Sequence, residues 1–503
     1  MKDSPPSLTH RAVSGMAWVA WGSGAMAVLK VGVLVVLTRL LSPADFGVVT
    51  AALVVVDFSL NFSQLGLGPA LVQRSALEPR HISTAFFAST ALGLLVGAIV
   101  WLAAPLIAHF FRMEHLVPVV RVLALTFPIA GVAIVSDSLL SRQLRFRLIA
   151  NRGLFAYTLG YGIVGIGLAS RGWGVWALVS AQLTQTVART AILLWAAPPQ
   201  FRPRPDWRSF QELMDYGVGQ SIGRIGVILA NQADNLVVGR WLGAVALGLY
   251  GRAYQLMSLP TALLGDMLDR VLFPTMSQVQ HDQRRLASAY LQGSGLIALM
   301  TLPTGVVAAL LAPELVAVAF GPRWAGLVPP FQVLALGMMF RTSSRMSDSL
   351  SRATGKVYRR AWRQAAYAGL VFLGALIGQQ WGVTGVAIGV LCALCANYLS
   401  MAHLSMTVID LPWTRYAQAQ LPAVRLAILL AAVTVGVSAV TRRLEVGALP
   451  GLLIGAAAAA GAALLAAWLF PKVVLGENGI RMRDILRTFV MTRLRPVRVR
   501  GSA

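Results

Sequence analysis

LTRLLSPADFG, Leu37 to Gly47, is written a second time in looser form as VGRWLGAVALG, Val238 to Gly248. Arg39 matches Arg240, Leu41 matches Leu242 and Gly47 matches Gly248. The register holds downstream, where Leu71 meets Leu272. Further on, VLAL at 122–125 meets VLAL at 333–336, and Ser136-Asp137-Ser138-Leu139 meets Ser347-Asp348-Ser349-Leu350. Finally Trp173-Gly174-Val175 meets Trp381-Gly382-Val383. Each match alone is weak, but their common order and nearly constant offset identify an internal repeat.

Composition sets the solvent of that repeat. The chain has 503 residues, 57% hydrophobic and 12% charged, with mean hydropathy +0.68. Soluble domains run nearer to about a quarter charged. Apolar runs of about 20 residues recur along the chain, each long enough to cross a hydrocarbon core of roughly 30 Å. The alternating segments of an outer-membrane barrel are absent from the sequence. The expectation is an all-α polytopic membrane protein with about fourteen transmembrane helices. They fall near 14–37, 46–67, 82–104, 116–139, 151–169, 173–196, 216–238, 246–268, 290–311, 325–350, 361–379, 382–404, 421–440 and 449–470. The first follows a polar N-terminus and is too long for a cleaved signal peptide.

Spans 1–6 and 7–12 form the two copies of the repeat. An even number of spans per copy makes both enter the membrane in the same direction, related by an axis along the membrane normal. The expected division is an N-lobe at 1–205, a C-lobe at 206–415, two extra helices within 416–470 and a basic cytoplasmic tail at 471–503. Two parallel six-helix lobes around a central cavity are the plan of an alternating-access transporter. No metal site is expected: His10, His81, His109, His115, His281 and His403 are scattered, and Cys392 and Cys395 read as packing.

The basic residues orient the chain. Both termini and the connections after spans 2, 4, 6, 8, 10 and 12 are rich in them, with Arg74, Arg80, Arg142, Arg145, Arg147, Arg284, Arg285, Arg352, Lys356, Arg359 and Arg360 as examples. The opposite side has only Arg39, Arg112, Arg171, Arg240, Arg323, Arg442 and Arg443. The positive-inside rule therefore expects both termini in the cytoplasm. Basic loops facing anionic headgroups account for the net charge of +24 without a nucleic-acid partner.

Polar residues inside the spans are the candidates for function, because a charge at the bilayer centre costs about 2.5–3.5 kcal/mol on insertion scales. Lys30 lies in span 1, Asp57 in span 2, Arg224 and Asp234 in span 7, and Arg252 in span 8. Span 7 contains VILANQADNLVVGR, Val227 to Arg240, with Asn231, Gln232 and Asn235 beside Asp234. Gln220, Arg224, Asn231, Asp234 and Asn235 keep to one broad helical face, and Asp57, Asn61 and Gln64 form a stripe on span 2.

LTRLLSPADFGVVTAALVVVDF, followed by QLGLGPALVQR, resembles the opening of the polysaccharide-transporter (Wzx-like) branch of the MOP flippase superfamily. NQADNLVVGRWLGAVALGLYGRAYQL and LFPTMSQVQHDQRRL resemble the matching stretches of its second lobe. The resemblance covers about residues 10–410. It implies that spans 1, 2, 7 and 8 line the central cavity. It also implies a flippase that carries an undecaprenyl-pyrophosphate-linked oligosaccharide repeat unit of O-antigen, capsule or exopolysaccharide from the cytoplasmic to the periplasmic leaflet. A bacterial inner membrane, with glycosyltransferases and a glycan polymerase as pathway partners, follows from the same resemblance.

Arg and Lys in a wet cavity can replace the hydration of such a pyrophosphate, Arg with bidentate donors. Lys30, Arg224 and Arg252, with Asn231 and Gln232, are therefore the expected substrate-binding residues. Asp57, Asp234 and Asn235 are expected to serve ion coupling or a gate, with a proton or sodium gradient as the driving force and no cofactor. The bland alternative is structural pairing, Arg224 with Asp57 or Arg252 with Asp266. Two rival functions remain: a MATE-like ion-coupled exporter, and a membrane polymerase or ligase. Drug cations favour acidic or aromatic cavities, whereas Lys30, Arg224 and Arg252 favour an anionic cargo. The outer loops are short and hold no carboxylate pair, and no phosphate-binding GxxxxGK[ST] occurs, which disfavours an enzyme.

Overall fold

The computed structural model describes residues 8–74, 76–143, 146–199 and 206–474. All regular structure among them is helical. The first half of the chain builds α1 (Leu8–Leu40), α2 (Pro43–Gln64), α3 (Leu67–Gln73), α4 (Pro79–Phe111), α5 (Leu116–Leu123), α6 (Thr126–Arg142), α7 (Phe146–Tyr157), α8 (Ile166–Ala169) and α9 (Val175–Ala196). The second half builds α10 (Trp207–Val237), α11 (Gly243–Gln278), α12 (Gln283–Leu310), α13 (Ala312–Ala319), α14 (Val328–Leu336), α15 (Met338–Ala353), α16 (Val357–Gly378), α17 (Gly382–Ile409), α18 (Trp413–Arg443), α19 (Ala448–Leu469) and α20 (Pro471–Val474).

Seven stretches among the described residues are long and apolar enough to cross a membrane. They hold the expected spans 2–4, 9 and 11–14, with Tyr358–Ile409 covering two of them. Expected spans 1, 5–8 and 10 fall on α1, α7 with α8, α9, α10, α11, and α14 with α15. On α9, Gln182, Gln185 and Arg189 hold down the hydropathy. The expected basic tail lies outside the described residues from position 475 onward.

The chain forms two compact units. The first gathers the described residues of Met1–Leu263, Ala319–Phe331 and Ala361–Ala393, and the second those of Leu264–Val318, Gln332–Arg360 and Leu394–Ala503.

In the first unit, SPADFG explains how α2 begins. Ser42 is the N-cap and Pro43 fills the first helical position, where no amide is needed. Asp45 closes a capping box: its carboxylate accepts the Ser42 N–H at 2.9 Å, and its own N–H donates to the Ser42 hydroxyl at 3.3 Å. At the last residue of the motif, the two copies of the repeat touch. A Cβ added to Gly47 would lie 1.7 Å from the carbonyl oxygen of Ala244, and one added to Gly248 would lie 1.9 Å from that of Pro43. Any side chain there would force α2 and α11 apart, so the matched glycines are a packing requirement. A second crossing uses Gly374 and Gly378 on α16 against Gly389 and Gly385 on α17, with added Cβ atoms between 2.1 and 2.7 Å from the facing carbonyl oxygens. Small residues spaced by four let membrane helices approach this closely.

The start of α10 is tied to α3 and α4 of the same unit. Asp206 caps α10, accepting from the N–H groups of Arg208 and Ser209 at 3.3 and 3.0 Å. Its own N–H donates to the Thr84 hydroxyl at 3.0 Å. Two turns on, Glu212 meets Arg74 at 2.6 Å and Nε2 of the fully buried His81 at 3.2 Å. These hydrogen bonds, the His81 one first, hold the Glu212 carboxyl below its ordinary range.

The second unit packs α12 against α15 and α18. Its core holds Tyr290, Tyr398 and Tyr416 among Met276, Leu286, Ile297, Met346 and Met406. The three phenols remain hydrogen-bonded, as buried hydroxyls must: Tyr416 donates to Tyr398 at 3.0 Å, and Tyr290 shares 2.9 Å with Ser347. The repeated Ser-Asp-Ser-Leu motif does matched work in each unit. Asp137 on α6 pairs with Arg152 of α7 at 2.6 Å and Arg189 of α9 at 3.0 Å. Asp348 on α15 pairs with Arg360 of α16, and with Arg352 at 3.2 Å.

Candidate functional site: a cationic cluster in the first unit

The Gly47–Gly248 contact sets the position of Arg252, one turn further along α11. The residue beside Gly47 is Phe46, and the Arg252 guanidinium lies 4.7 Å from its ring centroid. Phe46 is fixed in turn by the edge of Trp324, with centroids 5.4 Å apart and planes at 72°. Trp324 is fully buried and donates its indole N–H to the Thr38 carbonyl at 2.8 Å. That carbonyl is an orphan at the end of α1, because the Ser42 N–H that would reach it is taken by Asp45. Arg252 also donates from Nη1 to the Gln255 amide oxygen, while its Nε is buried without a partner. It forms no ion pair among the described residues, and the expected alternative partner, Asp266, has its side chain outside them.

A second cation approaches from α1. The Lys30 ammonium lies 5.9 Å from the Tyr157 ring centroid and has no hydrogen bond or ion pair among the described residues. Tyr157 ends α7, which continues as a π-helix over Thr158–Gly165. This wide turn is uncommon and recurs at functional sites. Tyr157 and Tyr161 stack at 5.1 Å with planes 19° apart. Gly160 between them permits the fit, since a Cβ there would come within 2.6 Å of the Ala181 carbonyl oxygen. Tyr161 lies within electrostatic reach of Tyr157, Arg252 and Asp57, which gathers the cluster around one aromatic pair.

Asp57 on α2 is exposed and accepts from the Gln232 amide at 3.4 Å. Gln232 accepts in turn from the Asn235 side chain at 3.0 Å. Asn231 is exposed on the same helix. Asp234 differs from all of these. It is 1% exposed, accepts from the Tyr250 hydroxyl at 2.7 Å and takes the Asn235 N–H at 2.8 Å. The structure thus brings together Lys30, Asp57, Arg252, Gln232 and Asn235, and buries Asp234 in a hydrogen-bonded seat. Arg224 lies on α10, and its side chain is outside the described residues. Sequence reasoning passed over Tyr157, Tyr161 and Phe46. The signal for the two tyrosines is an aromatic pair four residues apart in a glycine-rich apolar stretch, YTLGYGIVG (157–165).

The electrostatics are unbalanced. Among the described residues, two cations and one carboxylate leave the cluster with an excess positive charge, and the aromatic faces return only part of what desolvation costs. A cation–π contact gives about 0.5–2 kcal/mol, against about 2.5–3.5 kcal/mol for placing a charge at membrane depth. An anion with several acceptor oxygens would make up the difference through charged hydrogen bonds of about 1.5–3 kcal/mol each.

Comparison with known proteins places this geometry in a family. Teichuronic acid biosynthesis protein TuaB of Bacillus subtilis (strain 168) is 25% identical over 356 residues, 70% of this chain and 73% of its own length. Succinoglycan biosynthesis transport protein ExoT of Rhizobium meliloti (strain 1021) is 28% identical over 358 residues, covering 70% of this chain and 72% of its own. In fold the chain is similar to lipid II flippase MurJ in its inward closed conformation, with a TM-score of 0.72 at 12% identity over 93% of this chain and 99% of that one. The expected resemblance is borne out. Residues 36–354 match the family described as polysaccharide biosynthesis protein, and this multi-pass membrane chain belongs to it.

Proposed function

We propose that this protein is a flippase, a transporter rather than an enzyme. Its cargo is an oligosaccharide repeat unit on an undecaprenyl-pyrophosphate carrier, and it moves that cargo from the cytoplasmic to the outer leaflet of a bacterial inner membrane by alternating access. Both termini face the cytoplasm. The observation that carries the reading is the pair of cations, Lys30 and Arg252, set against aromatic rings and with no carboxylate partner among the described residues of an apolar helical unit. Unpaired intramembrane charges mark substrate pathways, and a pyrophosphate is the part of a lipid-linked sugar that most needs them. ExoT, a relative at 28% identity, is named as a transport protein of succinoglycan biosynthesis, which supports a glycan cargo.

In this reading Arg252 offers donors to phosphate oxygens from a guanidinium already oriented by Phe46, and Lys30 supplies a second point charge. Arg224 of the same expected set would add a third. Asp57, exposed and held among the described residues by Gln232, is the group able to exchange a proton or sodium ion during the cycle. Gln232, Asn231 and Asn235 offer hydrogen bonds to the headgroup. Asp234, seated on Tyr250, holds α10 against α11 as part of a gate. The enzymes that build the repeat unit supply the substrate, and a polymerase consumes it.

The test follows the lipid-linked precursor across the inner membrane of a deletion strain. Accumulation on the cytoplasmic side, relieved by the wild-type chain but not by Arg252→Gln, is the expected result. A precursor that reaches the outer leaflet yet stays unpolymerised overturns the reading in favour of an enzyme.

A further inference from the structure

A cavity of about 640 Å³ lies within the first unit, walled by α2, α3, α6 and α9. Its polar lining includes Gln64, Gln182, Gln185, Asp137 and Arg189. For membrane helices this is an unusual wall, since an amide turned to hydrocarbon without a hydrogen bond costs about 1–3 kcal/mol. Gln64 and Gln185 have no such bond among the described residues. Gln182 has one, and it is directional: its oxygen accepts from the Tyr161 hydroxyl at 2.8 Å, which leaves its amide hydrogens to donate into the cavity. Tyr161 stacks on Tyr157, and Tyr157 carries Lys30. A continuous chain of contacts, Gln182–Tyr161–Tyr157–Lys30, therefore runs from the cavity wall to the cationic cluster.

We propose that this cavity seats the sugar rings of the cargo while Lys30 and Arg252 hold its pyrophosphate. The proposal rests on the flippase reading above and adds to it the place where the glycan is recognised. A sugar hydroxyl both donates and accepts, and a glutamine amide does the same, so the unpaired amides of Gln64 and Gln185 match it. Asp137, held by Arg152 at 2.6 Å and Arg189 at 3.0 Å, braces this wall and leaves the ligand contacts to the amides. The volume falls in the range of about 300–1,000 Å³ typical of small-molecule sites, room for more than one ring. α2, α3, α6 and α9 all end beside the cavity, at the ends that join the basic, cytoplasm-facing connections. Sugars would enter there before translocation.

The test compares two lipids in liposomes holding the full-length chain. One is undecaprenyl pyrophosphate with no sugar, and the other bears a complete repeat unit extracted from the source cells. The double substitution Gln64→Leu with Gln185→Leu should slow transport of the repeat-unit lipid by about tenfold or more, the size expected for losing two ligand hydrogen bonds. Transport of the sugar-free lipid, which needs only the pyrophosphate contacts and checks that the variant folds, should stay within about twofold of wild type. Equal losses on both lipids, or no loss on either, overturn the glycan cavity and leave the flippase reading standing. A wild-type chain that moves neither lipid removes the flippase reading and the cavity with it.

Discussion

Asp137 and Asp57 occupy neighbouring helices of one unit in contrasting surroundings. Asp137 is gripped by the buried Arg152 at 2.6 Å and by Arg189 at 3.0 Å, and its counterpart in the repeat, Asp348, is gripped in the same manner. Asp57 has one amide at 3.4 Å, and the cations near it lean on aromatic rings. A paired charge holds helices together and has little left to offer a ligand. An unpaired charge contributes little to the fold and retains its capacity to bind. The same residue types therefore divide into scaffold and site by their partners.

The largest expected effect tests the scaffold side. Arg152→Met leaves Asp137 with Arg189 alone and should lower stability by about 3 kcal/mol, the lower end for breaking a buried pair. Thermal unfolding of the purified protein reads this directly. A loss below about 0.5 kcal/mol would mean that water screens the pair and would erase the contrast with Asp57.

The site side should answer in the opposite way. Lys30→Gln and Arg252→Gln should each cut transport by about ten- to a hundredfold, the worth of one charged hydrogen bond to phosphate. The unfolding midpoint should hold or rise, because each substitution removes an uncompensated charge. Arg252→Lys should recover only part of the activity, since an ammonium cannot donate as a fork. Full transport in both neutral variants would return these cations to a structural role.

The repeat, the helical class and the family were legible in the sequence because each is carried by patterns of residue type: apolar length, matched glycines and matched Ser-Asp-Ser-Leu. The contact between Gly47 and Gly248 joins two positions that the repeat matches, although the match alone says nothing of contact. Sequence also picked out Lys30, Asp57 and Arg252, since a charge in an apolar run is visible without coordinates. It could not sort them from Asp234, which stands in the same kind of run yet is seated on Tyr250. The sorting depends on tertiary partners, and Tyr250 lies 16 residues away on another helix. Tyr157 and Tyr161 were hidden for a related reason: an aromatic residue in a span reads as packing until a π-turn aims it at a cation.

Asp57→Asn probes the contrast more finely. It keeps the shape and the Gln232 contact but removes the exchangeable charge. Stability should stay within about 0.5 kcal/mol, the usual range for a substitution away from core and network, while transport loses its dependence on a proton or sodium gradient. Dependence that survives in the Asn protein removes Asp57 from coupling.

The smallest effect belongs to Glu212, a paired carboxylate outside the spans. Its charge is stabilised by His81, with Arg74 adding to it, so its folded pKa lies below the ordinary value of 4.5. A carboxyl with a lowered folded pKa stabilises the fold above the unfolded value, and that contribution is lost as pH falls through the folded one. His81 strengthens the arrangement, because its Nδ1 accepts from the Glu78 N–H at 3.2 Å and so fixes the proton on the Nε2 that faces Glu212. Glu212→Gln should therefore lower the unfolding midpoint slightly at neutral pH, and the gap to wild type should close once the wild-type carboxyl is protonated, well below pH 4.5. A gap that persists in acid would show that shape and neutral hydrogen bonds, rather than charge, anchor the start of α10. The division between paired scaffold charges and unpaired site charges would then apply only within the membrane.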